Sequence, residues 1–320
     1  MKIITWRGSI VLALTVLVNA PVQAQYPTRA VRLIVPFAAG SATDTVARFV
    51  QAELSAGLGQ QLVIDNRAGA AGNLGAEIAA RAPADGYTVL MGNISHSISM
   101  TLYTKLGFDL INDFAPVTQL ASGSFTLAAH PSLPARSVKE LIALAKKRPD
   151  QINVATAGAA LRLAAKMLDS MAGIKTTEVN YKSTPQAVTA VLSGEASVGF
   201  PATSAAMPHA RAGKLRALAV TSAQRTSMAP GVPTVAEAGL PGYEVTSWYC
   251  LMVPARTSKE IIARLHGAAV KALDHSEVKK RFATTDLERV GSTPEQCGTL
   301  VRREIAKWAK VIKESGIRAD

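Results

Sequence analysis

Cysteine is nearly absent from this chain. Cys250 and Cys297 are the only two in 320 residues. They are too few for a disulfide framework, so the fold rests on a hydrophobic core. Either one bridge or two small buried thiols fits that count. Long apolar runs are missing beyond the first 25 residues, which excludes a bundle of membrane-spanning helices. Aromatic residues make up 5% of the chain, and no basic stripe is interleaved with them, although the formal net charge is +12. That distribution is not the footprint of a nucleic-acid binder. The histidines (96, 130, 209, 266, 275) lack metal-ligand spacing, and neither cysteine sits in a C-x-x-C. No Walker A loop and no G-x-S-x-G elbow occurs. Gly69, Gly72 and Gly75 are spaced as G-x-x-G-x-x-G, not as the dinucleotide-binding G-x-G-x-x-G. They read as a turn that lets a helix pack closely on a sheet.

The amino terminus has the composition of an export signal. Lys2 and Arg7 precede the mostly apolar run Ile10 to Val18, and Val22-Gln23-Ala24 offers small residues for cleavage after Ala24. The mature chain that follows suffices for two ordinary domains.

Val31–Val35, Leu62–Ile64 and Tyr87–Met91 are β-branched and apolar and predict strands. Between them lie a helix capped by Thr43 or Asp44 and a second helix opening after Gly69–Gly75. Such alternation predicts a mostly parallel sheet. Ala115–Leu120 and Phe125–Ala129 follow one another without a helix, as in a crossing between lobes. Alternation then resumes. Ser137 caps Val138–Lys147 with Glu140 as its capping-box partner. Thr221–Tyr243 reads as a linker, and Ser247–Val253 as the return strand. The last helix begins at Ser292 or Thr293, with Pro294 in its first turn and a buried stripe of Cys297, Leu300, Val301, Ile305, Trp308 and Ile312.

Two strand–loop–helix junctions of small residues suit recognition of an anion, because first-turn N–H groups are unpaired and carry partial positive charge. In the first, the amides of Gly40, Ser41 and Ala42 and the hydroxyls of Ser41 and Thr43 are candidate donors. Asp44 repels an anion there unless its charge is spent on capping amides or on a ligand ammonium. In the second, the candidates are Thr156, the Ala157–Ala160 turn with Gly158, and Arg162 as a bidentate partner for a carboxylate. A third group is Asn93, Ser95 and His96. The alternative is that these loops merely cap their helices, Arg162 is solvated and His96 is structural.

VPFAAGSATD (Val35 to Asp44), VIDNRAGAAGNLGAE (Val63 to Glu77), DGYT (Asp85 to Thr88) and NDFAPV (Asn112 to Val117) occur in order. AGKLRALAVT (Ala212 to Thr221), VPTVAEAGLPGYE (Val232 to Glu244) and Ser247-Trp248 follow them. Together they resemble the Bug family, the extracytoplasmic binding components of tripartite tricarboxylate transporters. The resemblance implies an α/β chain with a two-lobed periplasmic-binding-protein type II fold. Each lobe would be a mixed sheet flanked by helices, with a ligand cleft between the lobes. Residues 1–24 would be the signal peptide, 25–126 and 247–320 lobe 1, and 127–246 lobe 2. It implies a periplasmic monomer that takes a di- or tricarboxylate, acidic amino acid or aromatic acid to a two-subunit membrane permease, with no cofactor and no metal. Phe37, Ala38, Ala39, Gly40, Ser41 and Asp44 match the family's carboxylate-gripping loop.

The chain departs from the family where Ser41 replaces a glycine. ATAGAALR (Ala155 to Arg162) is also shorter than usual and places Arg162 where histidine is common, which favours a second carboxylate. Ser183 and Pro201, with the adjoining Ala202, differ from the usual glycine and aspartate in ligand-facing stretches. A receptor-signalling subunit and a periplasmic hydrolase are the rival readings, the latter without a visible nucleophile–base pair.

Overall fold

The computed structural model describes residues 26–317. The expected export signal and its cleavage point after Ala24 lie outside them. The chain builds two sheets. β1 (Val31–Val35), β2 (Leu62–Asn66) and β3 (Thr88–Asn93) are parallel, linked by α1 (Ala42–Leu58) and α2 (Asn73–Ala80). α3 (Ile94–Leu102) leads to β4 (Phe114–Ser124). One residue later β5 (Thr126–Ala129) starts the second sheet, followed by α4 (Val138–Lys147), β6 (Asn153–Thr156), α5 (Gly158–Ala172) and β7 (Thr177–Asn180). α6 (Thr184–Ser193), β8 (Val198–Gly199), α7 (Thr203–Arg211) and β9 (Arg216–Val220) complete it. The chain returns through β10 (Thr246–Pro254), α8 (Lys259–Asp274), α9 (Ser276–Ala283), β11 (Leu287–Arg289) and α10 (Pro294–Ser315). The strand orders are β11-β4-β10-β3-β1-β2 and β7-β6-β8-β5-β9. Both sheets are mixed: β10 runs antiparallel to β3 and β4, and β5 antiparallel to β8 and β9. This is the two-lobed α/β architecture expected from the sequence.

The two passages between sheets are tied by one hydroxyl. Thr221 Oγ1 accepts from Phe125 N (2.9 Å) on the outward passage and donates to Val245 O (2.6 Å) on the return. α10 packs on α3 and β4 of the first lobe and on α5 of the second, so Trp308, Val311, Leu161 and Leu168 share one core. Each such large apolar side chain contributes about 1.5–3 kcal/mol when fully buried. Within that face of α10 stands Glu304, a position the expected apolar stripe did not include. Its carboxylate accepts from Trp308 Nε1 (3.1 Å) and pairs with Lys307 Nζ (2.6 Å), which also donates to Glu244 O beside the return passage (3.1 Å). A charge is tolerated there because every partner is at hand.

Helix starts follow local chemistry. α1 is capped by Ser41, not by Thr43 or Asp44, with Ser41 Oγ accepting from Asp44 N. Ser137 caps α4 as expected, but Glu140 reaches back to Arg136 N instead of Ser137 N. Thr293 and Gln296 form a full capping box on α10. α3 has another: Asn93 Oδ1 accepts from Ser95 N (3.0 Å), and His96 Nδ1 accepts from Asn93 N (3.0 Å). That role makes Nε2 the protonated nitrogen, and it faces Gly72 O at 3.3 Å. Gly72 has φ +96°, and a Cβ there would come within 2.9 Å of the Phe37 ring. This explains why the turn before α2 needs glycine.

Burial lowers the His96 pKa from its ordinary 6.5 to about 4, against the smaller opposing pull of the Gly72 and Asn93 backbone bonds. Above pH 6.5 the ring is neutral whether the chain is folded or not. Between pH 6.5 and 4 the unfolded chain binds a proton that the folded chain refuses, so stability falls as pH falls, by up to about 3 kcal/mol. The expected NMR titration midpoint of His96 lies below pH 5; a midpoint near 6.5 would contradict this placement. Glu304→Ala should cost about 2–3 kcal/mol in urea unfolding, less than for a fully buried pair because Lys307 reaches water. A change under 0.5 kcal/mol would show the clamp to be idle.

Candidate functional site

Between the sheets lies a cleft of about 600 Å³ lined by both lobes. A groove of about 610 Å³ between α8 and α10 is lined by one lobe only, so movement of the lobes does not enclose it. The cleft is where helix starts converge. The first lobe contributes Gly40, Ser41, Ala42 and Thr45 of α1 and its loop, and Asn93 and Ser95 at α3. The second contributes Ala157 and Ala160 at α5, Thr184 at α6, and Ala202 and Ser204 at α7. Phe37, Phe125, Leu161 and Tyr249 supply apolar surface. Asp286 is the one charged lining residue among the described residues.

The caps differ between the lobes. α1 and α3 are capped by Ser41 and Asn93, whereas α5, α6 and α7 start from Ala157, Ser183 and Ala202 with no side-chain cap. Among the described residues, the first-turn amides of Ala42, Thr43, Ile94, Ala159 and Ala160 find no acceptor. An oxyanion entering the gap meets these donors together with the positive ends of the helix dipoles.

Several side chains expected to face the gap do not. The Gly40 amide is spent on Asp44 Oδ2 (2.9 Å), and the Ser41 amide on Ala38 O (3.1 Å), so the vacant donors sit one step further on, at Ala42 and Thr43. Asp44 is buried behind the loop. It also accepts from Asn66 Nδ2 (3.0 Å) and Arg48 Nε (2.7 Å). Burial alone would raise its pKa, but the Arg48, Gly40 and Asn66 hydrogen bonds outweigh it and hold the carboxyl below the usual range. Its charge is thus consumed inside the first lobe. Arg162 turns along α5 onto Glu178 (2.6 Å), which also takes the Thr156 hydroxyl (3.2 Å). Neither lines the cleft; both are engaged by a carboxylate on the neighbouring strand β7. His96 is fully enclosed by its capping duties. Ala39 and Gly158 are exposed beside the cleft, Ser183 lies just before the lining Thr184, and Pro201 is buried below the lining Ala202.

The sequence reading missed Ser204, Ser247, Tyr249 and the loop Thr284–Leu287, all of which line the cleft. α7 carries Pro208 and little apolar periodicity, and the α9–β11 loop sits between two short elements, so neither announced itself. Cys250 and Cys297 are both buried free thiols, which matches the second of the two readings left open.

Comparison with known proteins agrees with this geometry. Residues 46–317 match the family described as "Tripartite tricarboxylate transporter family receptor". The Bordetella pertussis protein BugT is 33% identical over 306 residues, covering 94% of each chain. A Rhodopseudomonas palustris protein solved with adipate superposes with a TM-score of 0.76 at 36% identity, covering 92% of this chain and 99% of that one. MatC from the same organism, with bound malate, gives 0.72 at 34% identity, covering 90% and 100%. A lobed fold, a shared cleft of helix starts, and likeness along nearly the whole described length converge on one conclusion: this chain belongs to the tripartite tricarboxylate transporter family of receptors.

Proposed function

We propose that the chain is exported, is cut after Ala24, and works as a monomer that captures a small organic carboxylate between its lobes. It then delivers the ligand to a two-subunit membrane permease. No bond is made or broken. The observation that carries this reading is the set of vacant first-turn amides of α1, α3 and α5 facing a common gap that no cationic side chain enters. Neutral donors fixed by the backbone suit reversible binding, because they are already oriented and add no charge that must be desolvated. The adipate and malate held by the two neighbours have this chemistry. First contact with the ligand falls to the Phe37–Ser41 loop, Asn93, Ser95, Ala157, Ala160 and Ala202.

Ala160→Asp separates binding from folding. Residue 160 occupies the third position of α5, where a carboxylate favours the helix by about 0.3–1 kcal/mol. The same carboxylate covers the vacant amides and repels an anion. The expected result is an unchanged or higher melting temperature without ligand, and affinity for organic acids lower by at least about tenfold, or 1.4 kcal/mol, in calorimetry. Unaltered affinity in this variant would refute capture at the helix starts.

A further inference from the structure

Asp286 sets the two ends of the cleft apart. It lies in the loop between α9 and β11, on the first lobe, and its Oδ1 accepts from Ser204 Oγ of α7, on the second, at 2.9 Å. α7 starts from Ala202 without a side-chain cap, and Asp286 brings to its N-terminus the negative charge that such an end attracts. The field of α7 is therefore already satisfied from within the protein, as that of α1 is by Asp44, while α3 and α5 have no acidic residue in their first turns. Ser247 lines the same wall: a Cβ on Gly123 would meet its hydroxyl at 2.7 Å, with the Asp286 backbone carbonyl 4.0 Å away. Tyr249 completes this wall of the cleft. One end thus offers amides to an anion, and the other offers a carboxylate that accepts from a hydroxyl of the opposite lobe.

A second carboxylate placed beside Asp286 meets a like charge in a partly enclosed space. A protonated amine there replaces the Ser204 hydroxyl with a charge-assisted hydrogen bond. We infer that Asp286 is a specificity-determining residue, which makes the cleft prefer organic acids carrying a protonated amine over the same acids without one. The inference rests on the carboxylate-capture reading and names the substrate class within it.

Calorimetric titration of the mature protein with matched pairs tests it: succinate against aspartate, glutarate against glutamate, and adipate against 2-aminoadipate. The wild-type chain is expected to bind the aminated member of its best pair at least about tenfold more tightly. Asp286→Asn should shrink that ratio by about tenfold or more, by weakening the aminated acid and strengthening the plain one. Ser204→Ala, which removes the competing hydroxyl and keeps the carboxylate, should retain or enlarge the preference, and it serves as well if Asp286→Asn proves unstable. An equal or tighter grip on the plain acid by the wild-type chain overturns the inference, as does a ratio unmoved in Asp286→Asn; both outcomes leave carboxylate capture standing. Failure of every acid to bind the wild-type chain overturns capture itself, and this inference with it.

Discussion

The positive ends of several helices meet at one gap, and those of the second lobe are left without a side chain to cap them. Replacing a good N-cap by alanine costs a helix about 1 kcal/mol. α5 and α7 accept that cost at Ala157 and Ala202, whereas helices of the scaffold do not: α4, α8 and α10 are capped by Ser137, Ser258 and Thr293. The contrast follows position. α1 and α3 open on the cleft from the first lobe and keep their own caps, Ser41 and Asn93, whereas the three second-lobe helices that open on it have none. Stability given up at α5 is recoverable by a ligand that binds the folded state alone, so affinity and stability are linked at the same amides. At α7 a carboxylate is already present, since Asp286 accepts from Ser204 Oγ across the gap.

Opening and closing such a gap requires lobes that move as units yet stay joined. The joint here is small and specific. Thr221 holds both passages through one oxygen, and Ser124 Oγ meets Thr203 Oγ1 at 2.8 Å beside the first of them. Glu304, Lys307 and the Glu244 carbonyl fix α10 against the second. A hinge made of hydroxyls and short backbone bonds can turn by small dihedral changes, while the apolar packing of α10 on α5 limits the range. Tyr243 reinforces that packing: it is buried, its hydroxyl donates to Ala164 O at 3.0 Å, and burial pushes its pKa far up.

Strands such as Val31–Val35 and Tyr87–Met91 were legible because β-branched apolar runs bounded by glycine or proline have few other uses, whereas the three-residue β11 was not. Caps at Ser137 and Thr293 were legible for a similar reason. α3 was hidden because its sequence, ISHSISMTL, alternates polar and apolar residues without an evident helical stripe. The site was legible as a set of loops but not as a set of side chains. Nothing in the order of residues says that Arg162 has Glu178 beside it, or that His96 spends Nδ1 on Asn93, since both partners are settled by how strands and helices stack. Asp286 was hidden for the opposite reason. Its neighbour Ser204 lies 82 residues away, and only the facing of two lobes brings them together.

The surplus of positive charge lies away from the cleft. The whole chain carries +12, yet no lysine or arginine lines the cleft among the described residues. Charges on the outer surface lie beyond hydrogen-bonding reach of a captured anion. At physiological salt their influence decays over about 8 Å. They can raise the rate at which anions arrive, because a broadly positive surface steers diffusion. They contribute little to how long the anion stays, which on the proposed reading falls to the fixed amides and Asp286 inside the cleft. Attraction and selection would thereby be separated in space: the first is diffuse and sensitive to salt, and the second is local, built from fixed neutral amides and one carboxylate within the cleft.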